Sequence, residues 1–249
     1  MTNLAIAKDG VRLAYETVGS GRPILLVHGF ASDRAQNWKN VGWYETLTGA
    51  GFAVTAMDCR GHGESDKPHD DSGYGDKMVD DIVTVMDAAG LERPDLMGYS
   101  MGGILAVGVL MTNPARVARA VCAGIGETYF GSKSHRKGIA AALRASDPSS
   151  ITDPTEKAFR AFASQEGKDL LALAACMSAD RTMYAMEQLK TCTTPVLVVD
   201  GDKDAQSGRP EPLANAFANG RAVIVPNRDH MTAVGDKVYK QAVVDFLAG

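Results

Sequence analysis

Gly98-Tyr99-Ser100-Met101-Gly102 is a G-x-S-x-G pentad. It follows the apolar stretch 94–97 directly and runs into a stretch of helical character, 101–113. A strand, a one-residue turn and a helix in that order demand a sharp backbone reversal at Ser100, which lifts its hydroxyl above a sheet edge. Such a turn holds the serine in a sparsely populated conformation costing roughly 1–3 kcal/mol. Gly98 and Gly102 remove the side chains that would collide there. The Met101 amide then lies at a helix N-terminus, where unpaired donors and the helix dipole favour developing negative charge. Ser100 thus reads as a nucleophile. The competing reading, a Gly-rich turn with Ser100 as an exposed cap, leaves the partners found elsewhere in the chain without a role.

The flanking sequence supplies the sheet that this turn requires. Stretches 23–28, 52–57, 94–97, 117–123, 195–199 and 222–225 are short apolar runs, mostly bounded by Gly, Pro, Asp or Asn. That is the texture of strands covered on both faces. Between most of them lie helical stretches, 38–50, 77–89, 101–113, 211–218 and 234–248. Alternation of this kind predicts an α/β fold with a mostly parallel sheet and helices on both faces. At the N-terminus, 4–7 and 11–18 join across Lys8-Asp9-Gly10, a hairpin signal that predicts an antiparallel opening and brings the strands to eight. The interval 126–194 breaks the alternation. It offers no convincing strand, only helical spacing at 155–163, 169–178 and 181–189. The expected organisation is a core of 1–125 and 195–249 carrying 126–194 as a helical insertion at the sheet edge.

Composition narrows the function. In 249 residues, 45% apolar and 22% charged describe a globular chain and exclude disorder, collagen and coiled coil. The 26 Lys+Arg against 30 Asp+Glu give a net charge of -4 with no basic run, which argues against nucleic acid as a partner. The first residues lack the basic and apolar regions of a signal peptide. Apolar stretches such as 104–111 fall well short of the roughly 20 residues that cross a bilayer. Cys59, Cys122, Cys176 and Cys192 are far apart with no C-x-x-C pair, against zinc and against a disulfide framework. A cytoplasmic protein acting on a small molecule is expected, with no membrane contact; oligomeric state is not set by these features.

A nucleophilic serine needs a base, an acid to orient it and a second oxyanion donor. His28-Gly29-Phe30 ends a neighbouring apolar strand, and Gly29 is expected to let the backbone approach so that the Phe30 amide points where Met101's does. Of five histidines, His28 belongs to that strand, and His62 and His69 lie in a Gly/Asp-rich loop. His135 sits among Ser, Lys and Arg, where a solvated role is the default. His230 follows the last buried strand and faces the carboxyl edge of the sheet, where open α/β sheets bind ligands. For the acid, Asp200, Asp202 and Asp204 all follow 195–199, and Glu127 is an outside candidate. Arg60-Gly61-His62-Gly63 has neither a phosphate-loop pattern nor paired-histidine metal spacing and reads as a structural loop near the pocket. Tyr129, Phe130, Phe159, Phe162, Met177, Met183 and Met186 are candidates for an apolar acyl pocket; helix packing explains most of them equally well.

Taken in chain order, His28-Gly29-Phe30, the run Asp58 through Ser65, Gly98 through Gly103, Gly201-Asp202-Lys203-Asp204 and Asp229-His230 resemble the successive landmarks of the α/β-hydrolase superfamily. The resemblance covers nearly the whole chain. It implies the α/β-hydrolase fold with a helical cap and a catalytic order Ser, Asp, His, which falls on Ser100, Asp204 and His230. It implies a serine esterase or lipase type of enzyme. His230 would take the Ser100 proton, Asp204 would hold the imidazole, and Phe30 and Met101 would form the oxyanion hole. An acyl-serine would form and be hydrolysed without metal or organic cofactor. A serine at the elbow speaks against relatives with aspartate there, the haloalkane dehalogenases and most epoxide hydrolases.

The leading expectation is cleavage of small or medium carboxylic esters. The same trio also supports lactone, thioester or carbon–carbon hydrolysis, acyl transfer and cofactor-free haloperoxidase or perhydrolase chemistry. A different class is a non-catalytic small-molecule receptor on this fold.

Overall fold

The computed structural model describes residues 1–131 and 135–249. Its strands are β1 (Asn3–Ile6), β2 (Arg12–Val18), β3 (Arg22–Val27), β4 (Phe52–Met57), β5 (Asp95–Tyr99), β6 (Ala120–Ala123), β7 (Val196–Gly201) and β8 (Gly220–Val225). They form an eight-stranded sheet in the order β1-β2-β4-β3-β5-β6-β7-β8. The β1–β2 and β2–β4 pairs are antiparallel and all others parallel. The chain is an α/β-hydrolase fold, with the antiparallel opening that the Asp-Gly turn predicts.

Both faces of the central strands are covered, but β8, expected to be covered as well, is an edge strand that leaves Arg221, Ala222 and Ile224 exposed. In β3, Ile24 and Leu26 enter one apolar cluster while Leu25 and Val27 enter another, the two-residue period of a central strand. The first cluster is closed by α1 (Trp43–Gly49), and the second by α2 (Lys77–Ala88) and α3 (Met101–Thr112). After them come α4 (His135–Arg144), α5 (Pro154–Ala163), α6 (Leu170–Ser178), α7 (Met186–Leu189), α8 (Glu211–Ala216) and α9 (Lys237–Ala248). Tyr239, Val243 and Leu247 of α9 join the α1 side, and Leu213 of α8 joins the α2–α3 side. A third cluster of Ile139, Ala140, Leu143, Ala163, Leu173, Ala174 and Met177 binds α4, α5 and α6 to one another. Phe30, from the loop after β3, packs against it.

Several boundaries differ from the periodicity. The expected helix 38–50 is two pieces, a π-type turn at Ala35–Lys39 and α1, parted by Gly42 at φ 79°. The run 117–123 is extended at Val117, after the 3₁₀ turn Pro114–Arg116, but joins the sheet as β6 only at Ala120. The last helix starts at Lys237 rather than 234, where Asp236 caps it by accepting from the Val238 amide. In 181–189 only α7 is helical. Thr182 is instead held by Asp76, whose carboxylate accepts from its amide at 2.8 Å and its hydroxyl at 2.5 Å. Helix α4 lies outside the stretches whose spacing predicts helix; Gly138 inside it leaves the space that the Glu156 side chain occupies. Among the described residues, no helix is long and apolar enough to cross a membrane.

The sheet order makes the site's position a consequence of topology. From β3 the chain passes to β4 on one side and later to β5 on the other, so the strand order reverses at the β3–β5 pair. Beyond the carboxyl ends of those two strands lie Gly29-Phe30 and Ser100, at the crevice where such sheets bind ligands.

Candidate active site

Ser100 sits at φ 54°, ψ −115°, a left-handed conformation that a side chain rarely adopts. The strain is held by close backbone packing. A Cβ on Gly98 would stand 2.1 Å from the Gly102 carbonyl oxygen, and one on Gly102 would stand 2.0 Å from that of Val27. Both glycines are therefore obligatory. The Ser100 amide donates to the Ala123 carbonyl at 2.7 Å, extending the β5–β6 ladder into the turn.

His230 and Asp204 reach this serine from two loops. The loop after β8 carries His230, and Asp229 pins its turn by accepting from the amides of Met231 and Thr232. The Tyr99 hydroxyl donates to the His230 carbonyl at 2.6 Å, tying that loop to β5. His230 Nε2 lies 3.0 Å from Ser100 Oγ, and Nδ1 lies 2.7 Å from Asp204 Oδ2. A carboxylate only accepts, so Nδ1 carries the proton and Nε2 is free to accept from the serine hydroxyl. Asp204 is 4% exposed, and its Oδ1 accepts from the amides of Gln206 and Ser207 at 2.9 and 3.0 Å. Burial alone pushes its carboxyl up, but the His230 and Ser207 hydrogen bonds outweigh it and hold the group below its ordinary range.

The other acids go elsewhere. Glu127 is exposed and faces Arg209 at 3.8 Å, and Asp202 accepts from the Arg228 amide at 3.3 Å. Asp200 is buried at the end of β7, and among the described residues neither of its oxygens has a hydrogen bond of normal geometry. Burial raises its carboxyl to about 7; the Asp204 charge adds to the rise, while Ser207 and the Gly126 amide oppose it.

The amides of Phe30 and Met101 make none of the turn, loop or cap hydrogen bonds found among the described residues. The loop carrying Phe30 is fixed from behind. Asn37 Oδ1 accepts from the Gly29 amide at 2.9 Å, and Ala31 takes φ 55°. His28 Nε2 accepts from the Cys59 amide at 3.0 Å while Nδ1–H donates to the Gly29 carbonyl at 2.7 Å. Burial depresses the His28 pKa, so this imidazole is neutral and structural. Gly29 differs from expectation. A Cβ there would meet Ser100 Cβ and the Tyr99 carbonyl at an ordinary 3.4 Å, so the close approach depends on Gly102 rather than Gly29.

Ser100 and His230 open into a cavity of about 700 Å³. Residues 126–194 contribute Tyr129, Phe159 and Met177 to its wall, three of the apolar candidates. Phe130 and Met183 pack on the α2–α3 side of the core, Phe162 lies under the Lys168 ammonium, and Met186 is exposed. His135 is exposed but borders the cavity. Arg136 and Arg181 also line it, which no motif signalled. The Arg60 loop is structural: its buried guanidinium bonds Asp81 through Nε and Nη2 and Asp9 through Nη1.

Residues 22–145 match the family model described as alpha/beta hydrolase fold. A hydrolase from Pseudomonas aeruginosa PA01 superposes with a TM-score of 0.84 at 25% identity, covering 100% of this chain and 98% of that one. An enol-lactonase from Burkholderia xenovorans LB400 gives 0.83 at 21% identity over 99% and 100% of the two chains, a likeness of fold. In sequence, the chain is 35% identical over 116 residues to a bifunctional epoxide hydrolase of Sus scrofa, covering 45% of this chain. It spans only 20% of that protein's length, and between 33% and 59% of the length of seven other curated relatives.

Proposed function

We propose, from the premise that this chain belongs to the α/β-hydrolase family, that it is a serine hydrolase of small or medium carboxylic esters. The observation that carries the reading is the hydrogen-bonded series Ser100–His230–Asp204, with contacts of 3.0 and 2.7 Å beside a cavity. His230 Nε2 takes the hydroxyl proton as Ser100 Oγ attacks the ester carbon. Asp204 keeps the imidazole in the required tautomer and stabilises its cation. The amides of Phe30 and Met101 donate to the oxyanion of the tetrahedral intermediate, each worth roughly 2.7–4 kcal/mol there. His230 then protonates the departing alcohol and activates the water that frees the acid from the acyl-serine.

The core in this reading is 1–125 and 195–249, and residues 126–194 serve as the cap that shapes the acyl and alcohol subsites. A serine at the elbow favours acyl transfer over the chemistry named for the epoxide-hydrolase relative. An enol-lactone, as in the name of the structural neighbour from Burkholderia, is an internal ester and falls within the same mechanism.

The test is turnover of p-nitrophenyl esters from acetate to octanoate by wild type and Ser100→Ala. Saturable hydrolysis abolished in Ser100→Ala supports the reading. Folded wild type with no more activity than the variant rejects it and favours a binding protein on this fold.

A further inference from the structure

Arg136 and Arg181 line the cavity and, among the described residues, have no acid to neutralise them. Among the described residues, neither Arg136 nor Arg181 has a carboxylate within 4.0 Å, whereas Arg12, Arg22, Arg34, Arg60, Arg116, Arg144 and Arg228 do. Arg181 is half-buried among soft atoms. Its Nη2 lies 3.1 Å from the Cys176 carbonyl oxygen and 3.1 Å from Cys176 Sγ, and 3.5 and 3.6 Å from the sulfurs of Met78 and Met101. Its Nε is buried with no hydrogen-bond partner among the described residues. Thioether and thiol sulfurs are weak acceptors, poor compensation for a cation withdrawn from water. Among the described residues Arg136 makes one hydrogen bond, from Nη2 to the Ala179 carbonyl at 2.8 Å. Burial, and then the charge of Arg181, push its pKa down to about 10.

Structural arginines in this protein are treated differently. Arg60, the most buried, is bound by two carboxylates. Among the described residues Arg93, Arg119, Arg160 and Arg221 also lack a carboxylate within 4.0 Å, but none of them lines the cavity, whereas Arg136 and Arg181 do. The acids nearby do not supply one: Asp180 is exposed and beyond ion-pair distance, and Asp153 and Glu156, which also border the cavity, lie beyond 4.0 Å from either guanidinium. Asp153 is already engaged in capping α5.

The position relative to Ser100 gives the pair its meaning. Met101 carries a proposed oxyanion amide at one end and touches Arg181 with its sulfur at the other. Four bonds of a methionine separate those atoms, so Arg181 Nη2 lies within roughly 9 Å of the amide nitrogen. A ligand whose carbonyl sits at Ser100 therefore has a cationic partner within the span of a short carbon chain. Guanidinium pairs recognise planar carboxylates through charge-assisted hydrogen bonds.

We propose that Arg136 and Arg181 form an anion subsite and that the enzyme's substrates are esters bearing a carboxylate. This rests on the serine-hydrolase reading for the ester half and on the cavity arginines for the carboxylate half. A neutral ester leaves both cations desolvated and unpaired, while an anionic one completes them. The preference should be at least about tenfold in kcat/KM, the usual worth of a hydrogen bond to a charged group.

The experiment compares matched pairs on the intact protein: mono-p-nitrophenyl glutarate with p-nitrophenyl pentanoate, and 4-acetoxybenzoate with its methyl ester. The first pair places the carboxylate on the acyl side and the second on the alcohol side. Wild type is expected to favour the anion at least about tenfold in one pair, with the ratio falling towards one in Arg136→Gln/Arg181→Gln and partly restored in Arg181→Lys. Ratios at or below one in both pairs, with the neutral esters turned over, overturn the proposal and leave the hydrolase reading intact. If no ester is hydrolysed, the hydrolase reading fails instead. Calorimetric titration of wild type with glutarate then decides the subsite: binding that the double variant loses supports it, and no binding overturns it. The wild-type measurements stand even if the double variant does not fold.

Discussion

Replacing Asp200 with Asn should stabilise the protein at alkaline pH and leave it unchanged in acid. The carboxyl is 1% exposed at the end of β7, and among the described residues neither oxygen has a normal hydrogen bond. Its surroundings include the phenols of Tyr99 and Tyr239 and the charge of Asp204. Burial, followed by that charge, raises its pKa from the ordinary 3.8 to about 7. Between these values the native state keeps a proton that the unfolded chain releases, so stability falls as pH rises through the window and levels off above about 7. A difference of about three in pKa corresponds to about 4 kcal/mol, an order-of-magnitude figure. Asn mimics the protonated acid, so Asp200→Asn should gain up to about 4 kcal/mol at pH 8.5, or roughly 10 °C in melting temperature for a chain of this size. At pH 4 the gain should vanish. Urea unfolding of wild type and variant across pH 4 to 8.5 reads this directly. A stability difference independent of pH would refute the reasoning, since it would mean that Asp200 has the same proton occupancy in both states.

Three further outcomes follow from the site's geometry. Ser100→Ala and His230→Ala should each lower ester turnover by on the order of 10⁴ to 10⁶, and the double variant should lose little more, because the groups act as a unit; additive losses in steady-state assays contradict the shared role. Asp204→Asn should cost about 10³ to 10⁴ in kcat. An undiminished rate would return the acid role to Asp202 or Glu127. Gly102→Ala forces a Cβ to within 2.0 Å of the Val27 carbonyl and should prevent folding or lower the melting temperature sharply. Gly29→Ala, whose Cβ has only 3.4 Å contacts, should keep the fold but lose activity by placing a methyl against Ser100 Cβ. Circular dichroism melts with rate assays separate the two, and equal melting temperatures would contradict the contact distances.

What the sequence reveals depends on how local the physical cause is. The elbow is legible because Gly98 answers to a clash within a few residues, against the Gly102 carbonyl, and the pentad places Gly102 where it meets Val27 of the neighbouring strand. The central strands are legible because both their faces are apolar and buried, and the histidine because only His230 follows the last strand. The acid is less so: Asp200, Asp202 and Asp204 differ by the exact course of one turn, in which the amides of Gln206 and Ser207 fix Asp204. Features set by distant contacts left no trace. Arg181 lies in a stretch with helical spacing, yet Asp76, 106 residues away, holds Thr182 out of a helix, and Arg181 lines the cavity. Arg136 looks like a solvated charge until α4 packs on α6. The role given to Gly29 belongs to Gly102, because which glycine admits the neighbouring strand depends on a packing distance.

The central claim is that one serine hydroxyl is activated by an imidazole brought to it from the other end of the chain. Intact-mass and peptide-mass analysis after incubation with a fluorophosphonate tests it most directly. The account predicts a single adduct on the peptide containing Ser100, absent in Ser100→Ala and formed far more slowly in His230→Ala. Folded wild type that stays unlabelled, or that carries the adduct on another residue, would contradict it.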